Sequence, residues 1–514
     1  MSQRRCSAVH TNVIGAMREL IRAWLLIFLM ISILPLKHLD GSPAFGFLQR
    51  TVTKFTLSNG LTVIVVERNH FPVTTFVTVA KVGSVDDPAH KSGLAHMQEH
   101  MAFKGTSCIG TSNWAAESVA LHAVDDLFLK LEVTRVNANA DTAQLERDLL
   151  AAREHADKFI IPDALSNLIE AHGGSHFSAR TTRDATIYYV TMPSQMAELW
   201  FRIESSRFSD PVFRGFLTER NVVAEERRLR VDSNPQAKLM EQLLATAFTV
   251  HPYRNPAIGS MEEITHFSRL DAEQFFREHY SPRNLTLIIV GSVEAKTAKR
   301  LAQTYFGSIP NRTTVASPIP SEPPQESERH IGVKSSSRTL VALAYHAGWQ
   351  SPAELPAYRA MCNLLAGGAG SLLYERLVKG KNIATKVDAD PFYPGARFPS
   401  LLLIRITPAA GVPPEKILQE ADLAVNDFTA APPTASDLDA SKNQLLNEIC
   451  DKFNTNLGLA MELGTWEATR GDWTGMLRYA QGIDDIKAAA VQDMARRILK
   501  QTNRTIGVLQ PTRE

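Results

Sequence analysis

Two histidines stand four residues apart, with a glutamate directly before the second, at His96-Met97-Gln98-Glu99-His100. No other stretch constrains the fold as strongly. On a helix, positions i and i+4 share one face a turn apart. Both imidazoles can then reach one metal ion, and Glu99 projects from nearly the same side. The order is H-x-x-E-H, the reverse of the commoner H-E-x-x-H. With 15 His in 514 residues and Glu at roughly 6%, about 0.03 copies arise by chance per chain.

The flanks read as helix. Ser92 is the expected N-cap, and Gly105 the residue that ends the helix after Lys104. Leu94, Met97 and Met101 form an apolar stripe offset from the histidines. A buried amphipathic helix whose histidines merely hydrogen-bond is the plainer reading. It suits a single His better than two His and a Glu in this register.

A catalytic zinc site takes three protein ligands and leaves a fourth position open. The third is sought in Glu219-Arg-Asn-Val-Val-Ala-Glu225-Glu226. Glu219 and Glu226 are two helical turns apart and share a face, while Glu225 is turned about 100° from Glu226. Val222 and Val223 lie beside them, which places the carboxylates near the core.

A chain of 514 residues exceeds one core and predicts two or more domains. With 55 basic and 54 acidic residues, it carries no global field for nucleic acid. Cys6, Cys108, Cys362 and Cys450 are scattered and form neither a disulfide framework nor a metal knuckle.

Arg4, Arg5, Arg18 and Arg22 precede the apolar run Ala23 to Leu34. That run is too short for a comfortable membrane span and suits a signal peptide, with cleavage after Ala44. Residues 1–44 are therefore assigned to a signal peptide, with Met17 as a more typical start. A periplasmic or secreted protein follows, a membrane anchor being the alternative.

From Thr51 to Val82 the pattern is β, with a hairpin turn at Asn59-Gly60. Residues 113–156 read as a charged helical hairpin broken near 137–141, packed on the domain and not into it. Ser175 to Met192 is strand-like, Leu199 to Arg207 and Phe213 to Val231 are helical, and Leu285 to Val290 is a buried-type strand. Pro310 to Glu328 has the composition of a linker. The expected domains are thus 45–309, catalytic, and 329–514, without a second H-x-x-E-H, joined by 310–328.

His96 to His100 followed by Met-Ala-Phe-Lys-Gly-Thr, with Glu219-Arg-Asn-Val-Val-Ala-Glu-Glu226, resembles the pitrilysin/insulinase family of zinc peptidases. Gly173-Gly174, Asp184-x-Thr186, His251-Pro-Tyr253, Tyr280-x-Pro-x-Asn284 and Gly367-Gly368 extend the resemblance from about Val52 to the C-terminus. It implies one Zn2+ per chain on His96, His100 and Glu226. It makes Glu99 the general base, and Glu219 an acid that supports a histidine ligand. The implied reaction is hydrolysis of peptides or unfolded polypeptides, with substrate added as a strand beside Ser178, Ala179 and Arg180. The implied fold is α+β: two similar halves, each an antiparallel sheet with helices on one side, forming a clam around the zinc. A homodimer, or a heterodimer with a related subunit, is the expected partnership.

Three departures stand out. His100 and Glu226 are 126 residues apart, about fifty more than is usual in the family. Ser178 stands where the family usually has Asn. Leu372 and Thr385 fall where many active members have Arg and Tyr. The competing readings are a non-catalytic scaffold or partner subunit, and a zinc-binding protein without peptidase activity. The last would not need Glu99.

Overall fold

The computed structural model describes residues 51–137, 139–312, 318–335 and 338–511. The expected signal segment lies outside them. No described helix is long and apolar enough to cross a membrane.

The first sheet holds β1 (Val52–Thr56), β2 (Thr62–Glu67), β3 (Val73–Ala80), β4 (Ser175–Thr181), β5 (Thr186–Pro193) and β6 (Leu285–Gly291) in the order β1-β2-β6-β3-β5-β4. Asn59-Gly60 makes the first turn. Gly60 sits at φ +89°, and Asn59 Nδ2 donates to the carbonyls of Phe306 (2.8 Å) and Ile309 (3.0 Å). β6 is a continuous apolar run because it is central and buried on both faces.

The second sheet holds β7 (Arg329–Ser335), β8 (Leu340–Gly348), β9 (Ala384–Tyr393), β10 (Ser400–Pro408) and β11 (Arg504–Pro511) in the order β7-β11-β8-β10-β9. This repeats β2-β6-β3-β5-β4 strand for strand. Pairing is antiparallel except for one parallel pair in each sheet, β2 with β6 and β7 with β11. The expected sheets are therefore mixed, though mainly antiparallel.

The helices of the first half are α1 (Leu94–Met101), α2 (Trp114–Arg135), α3 (Ala143–Asp157), α4 (Ala164–Ala171), α5 (Ala197–Ser209), α6 (Phe216–Arg227), α7 (Pro235–Ala247), α8 (Met261–His266), α9 (Arg269–His279) and α10 (Ala295–Phe306). Those of the second are α11 (Leu355–Ala366), α12 (Pro414–Ala430), α13 (Ala435–Phe453), α14 (Asn456–Arg470), α15 (Gly475–Asp484) and α16 (Ala488–Ile498). Val63, Val65, Phe76, Leu287 and Ile289 carry one face of the first sheet into the core formed with its own helices.

The opposite face is covered from the other half. α14 lies on β3 and β6, so close that a Cβ on Gly464 would stand 2.8 Å from Val79 and 3.0 Å from Ile288. Glu467 of α14 reaches back to Lys54 at 2.8 Å. In return α7 lies on β7 and β11, where Leu239 and Leu243 fill the space above Gly507. The two sheets thus exchange one helix each. Their hairpin tips also meet. Asp184, in the β4–β5 turn, accepts from the Tyr253 hydroxyl and from the backbone N–H of Ala396 (2.6 Å) and Arg397 (3.1 Å) in the β9–β10 turn.

Four sequence expectations change. The run Ser175 to Met192 is two strands around a turn at 182–185. Phe213 to Val231 divides into α6, entered through Gly215 at φ +63°, and a π-helical turn at Arg228–Asp232. Val222 is not core: it is 48% exposed, and only Val223 is buried. The hairpin α2–α3 is packed into the domain. Ala120, Leu121, Val124, Phe128, Leu131, Leu149 and Ala156 join the main core beneath its charged outer face.

Candidate active site

α1 is started from outside itself. Gly93, at φ +95°, is its N-cap, and the half-buried Asp87 carboxylate accepts from the N–H of Gly93 and Ala95, each at 2.7 Å. Ser92 is not the cap, because its hydroxyl is turned to Glu263. The helix ends at Met101, and Gly105 belongs to the loop beyond, at φ +84°. Arg214 fixes that loop by donating to the carbonyls of Lys104, Thr106 (2.8 Å) and Ile109 (2.9 Å). Its own charge is matched by Glu117 of α2 at 2.7 Å, a pair with side chains only 2% and 0% exposed.

α1 and α6 pack together and bring His96, His100 and Glu226 to one point, with ligand atoms all within 4.8 Å of one another. Glu226 lies 3.3 Å from His100 Nε2 and 3.8 Å from His96 Nε2. Glu219, two turns earlier on the same face of α6, stands 2.9 Å from His100 Nδ1 and is itself paired with Lys104. His100 donates its Nδ1–H to Glu219, which fixes the ring with Nε2 turned toward Glu226. Glu225 points away and pairs with Arg228 on the surface.

The electrostatics suit a cation. Burial, with the charge of His100 adding to it, pushes the His96 pKa down to about 4, so its imidazole stays neutral. For His100, burial is outweighed by hydrogen bonds to Glu219 and Glu226, and the pKa is pushed up to about 9. The carboxylates that favour a proton on His100 would equally favour a metal cation, which displaces that proton on binding. Two histidines and a carboxylate are donors that could hold a metal ion, and they match in number and type the protein ligands of a catalytic zinc site. Glu99 is raised above the usual carboxylate range by burial, partly offset by hydrogen bonds from Thr181.

β4 is the edge strand, paired on one side with β5 through Ser178, Ala179 and Arg180. A bulge between Ser175 and Ser178, with His176 at φ +54°, bends it. A cavity of about 400 Å³ opens beside the ligands, lined by His96, Glu226, Thr181, Arg183, Met240 and the second half's Tyr393. Leu372 is half-buried, and Thr385 is exposed on β9. Sequence reasoning missed Asp87, Lys104, Thr181, Arg214 and Tyr393. Lys104 lies within the Phe-Lys-Gly stretch next to the motif; the others carry no local signal.

The family model for insulinase (peptidase family M16) matches residues 63–149 and 158–260, and the model for the peptidase M16 inactive domain matches 266–445. The chain belongs to peptidase family M16. Within that family it is 26% identical over 464 residues to zinc protease PqqE of Helicobacter pylori, covering 89% of this chain and 92% of that one. It is 25% identical over 338 residues to the mitochondrial-processing peptidase subunit beta of Lentinula edodes, 63% of this chain and 60% of that. Among solved structures, a protease from Helicobacter pylori superposes with a TM-score of 0.74 at 24% identity, over 90% of this chain and 99% of the other. An M16 inactive-domain protein from Pseudomonas fluorescens gives 0.71 at 17% identity, over 90% and 98%.

Proposed function

We propose that this M16 chain is a zinc metalloendopeptidase acting on peptides or unfolded polypeptides. The observation that carries the reading is the convergence of His96, His100 and Glu226 with Glu99 on the same helix as both histidines. Zinc, when bound, supplies a Lewis acid for the scissile carbonyl and lowers the pKa of a coordinated water to about 7. The chain's own groups do the rest. Glu219 holds His100 in one tautomer and orientation. Glu99, its pKa raised by burial, takes a proton from the nucleophile and returns it to the leaving amine. Thr181 aims Glu99, and the edge of β4 around Ser178, Ala179 and Arg180 receives substrate as an added strand.

The apolar run Ala23 to Leu34 supports export, so we place the mature protein in the periplasm or outside the cell. Leu372 and Thr385 favour a second subunit, in a homodimer or a heterodimer with a related chain. The relatives named as beta subunits are consistent with this. A non-catalytic scaffold would have no use for Glu99. The test is degradation of an unstructured peptide mixture. Activity should vanish with chelator and return with zinc, and Glu99→Gln should keep its metal and lose ~10²–10⁴-fold in rate. Near-normal turnover by a metal-loaded Glu99→Gln protein refutes the mechanism.

A further inference from the structure

The repeat between the two halves extends beyond the strands. α11 follows β8 as α1 follows β3, and α13 precedes α14 as α6 precedes α7. α11 packs on α13 as α1 packs on α6. Where the first pair presents His96, His100 and Glu226, the second presents Arg359 and Glu448, an ion pair at 2.6 Å. The second half also keeps a cavity, of about 160 Å³, in the corresponding place. Phe392 at the end of β9 and the helix α14 line it, as Thr181 at the end of β4 and α7 line the cavity beside the metal ligands.

The charges in this second cavity do not cancel. Glu448 is taken by Arg359, and Glu462 by Lys452 (2.7 Å) and the Trp466 Nε1–H (2.8 Å). Arg470 has no carboxylate within ion-pair distance among the described residues. It donates to the Gln350 carbonyl at 2.7 Å and stacks over Trp349 (4.9 Å) and Phe392 (6.0 Å). Burial holds its pKa below the ordinary arginine range. Arg359 lies 6.0 Å from the same Phe392 ring. Two guanidinium groups thus flank one aromatic wall, Trp466 and Tyr479 form others, and there is room for about one residue. A guanidinium with free donors selects a carboxylate, and the aromatic walls select an apolar body.

We propose that this cavity binds the free carboxyl end of an apolar residue, with Arg470 taking the carboxylate. The residue is either a single amino acid or the C-terminus of a peptide. The site stands apart from the proposed peptidase chemistry, and its test does not need turnover. Full-length protein, treated with chelator so that no metal competes for carboxylate, is titrated calorimetrically. The probes are phenylalanine, N-acetylphenylalanine, its amide, and a ten-residue peptide ending in Phe as free acid and as amide. Acids should bind and the matching amides should bind about tenfold weaker or less, the loss expected for one charge-assisted contact. Binding of free phenylalanine identifies an amino-acid site, and binding confined to the acylated acids and the peptide acid identifies a C-terminus site. Arg470→Met should weaken acid binding by the same factor. Thr465→Phe, which fills the cavity without removing a charge, should abolish it and remains decisive if Arg470→Met does not fold. Equal binding of acid and amide, no binding of any acid, or wild-type affinity in Thr465→Phe overturns the proposal.

Discussion

Single side chains separate the roles of neighbouring acids on α6. Glu226 faces both histidines, and Glu225, next in the chain, faces solvent and Arg228. Glu226→Gln should therefore lose zinc under mild chelation, while Glu225→Gln should retain it, since an exposed ion pair contributes little. Glu219→Ala should lower zinc affinity about 10–100-fold, the usual cost of removing a group that orients a ligating histidine. Metal content and zinc titration of the three purified variants check all of this. If Glu225→Gln loses zinc and Glu226→Gln keeps it, the site has been misassigned. At this scale much was legible in the sequence. The i, i+4 spacing and the seven-residue step from Glu219 to Glu226 are local rules of helix geometry. Thr181 and Lys104 were not legible as partners of Glu99 and Glu219. Nothing local tells which hairpin turn or loop passes a helix face.

Elements were harder to read than residues. The α2–α3 hairpin looked detachable because its outer face is charged, yet α2 buries five apolar side chains and Glu117. Composition averages over both faces of a helix, and packing depends on one. Glu117→Gln should destabilise the first half by about 3–5 kcal/mol, because it leaves the Arg214 guanidinium buried without its counter-charge. It should also loosen the loop after α1, which Arg214 pins at three carbonyls. Chemical denaturation measures the first effect and zinc affinity the second. A change within ±0.5 kcal/mol would show that water relieves the charge. By the same reasoning, replacing 113–156 with a short linker should unfold the domain. The β4–β5 hairpin was read as one strand for a related reason: its turn, Thr182-Arg183-Asp184-Ala185, has neither Gly nor Pro to announce it.

The segment expected as a linker, residues 310–328, bears on the whole molecule. Its composition promised a passive spacer, yet Glu322 accepts from the backbone N–H of Thr249 (2.7 Å), Val250 (3.0 Å) and His251 (2.9 Å). Burial opposes the charge, but these donors outweigh it and hold the Glu322 pKa down to about 2. A carboxylate with a depressed folded pKa stabilises above its unfolded value, near 4.3, and loses that contribution as pH falls toward 2. Wild type should therefore melt higher than Glu322→Gln at pH 6, with the gap closing between about pH 4 and pH 2. A constant gap across that range would assign the effect to something other than this charge. The likeness of the two halves was implied by the family resemblance, though not their strand order. The helix exchange was not, because a helix apolar on several sides does not say whose sheet it covers.

That exchange sets a clock on synthesis. The first sheet is complete once β6 ends at Gly291, but α14, which covers its far face, begins at Asn456. The interval is 456 − 291 = 165 residues, roughly 8–33 s at 5–20 residues per second. For that time Val77, Val79 and Ile288 have no roof, and Leu239 and Leu243 of α7 wait for β11. The usual order, in which an N-terminal unit folds while the rest is being made, is closed to this chain. A nascent chain halted after residue 330 should be degraded by protease as readily as an unfolded one, and one released after β11 should resist. Resistance at the earlier point would mean that the first half finds a cover of its own. A polypeptide that stays open this long is easily held by chaperones and is still thin enough to thread through a translocation pore.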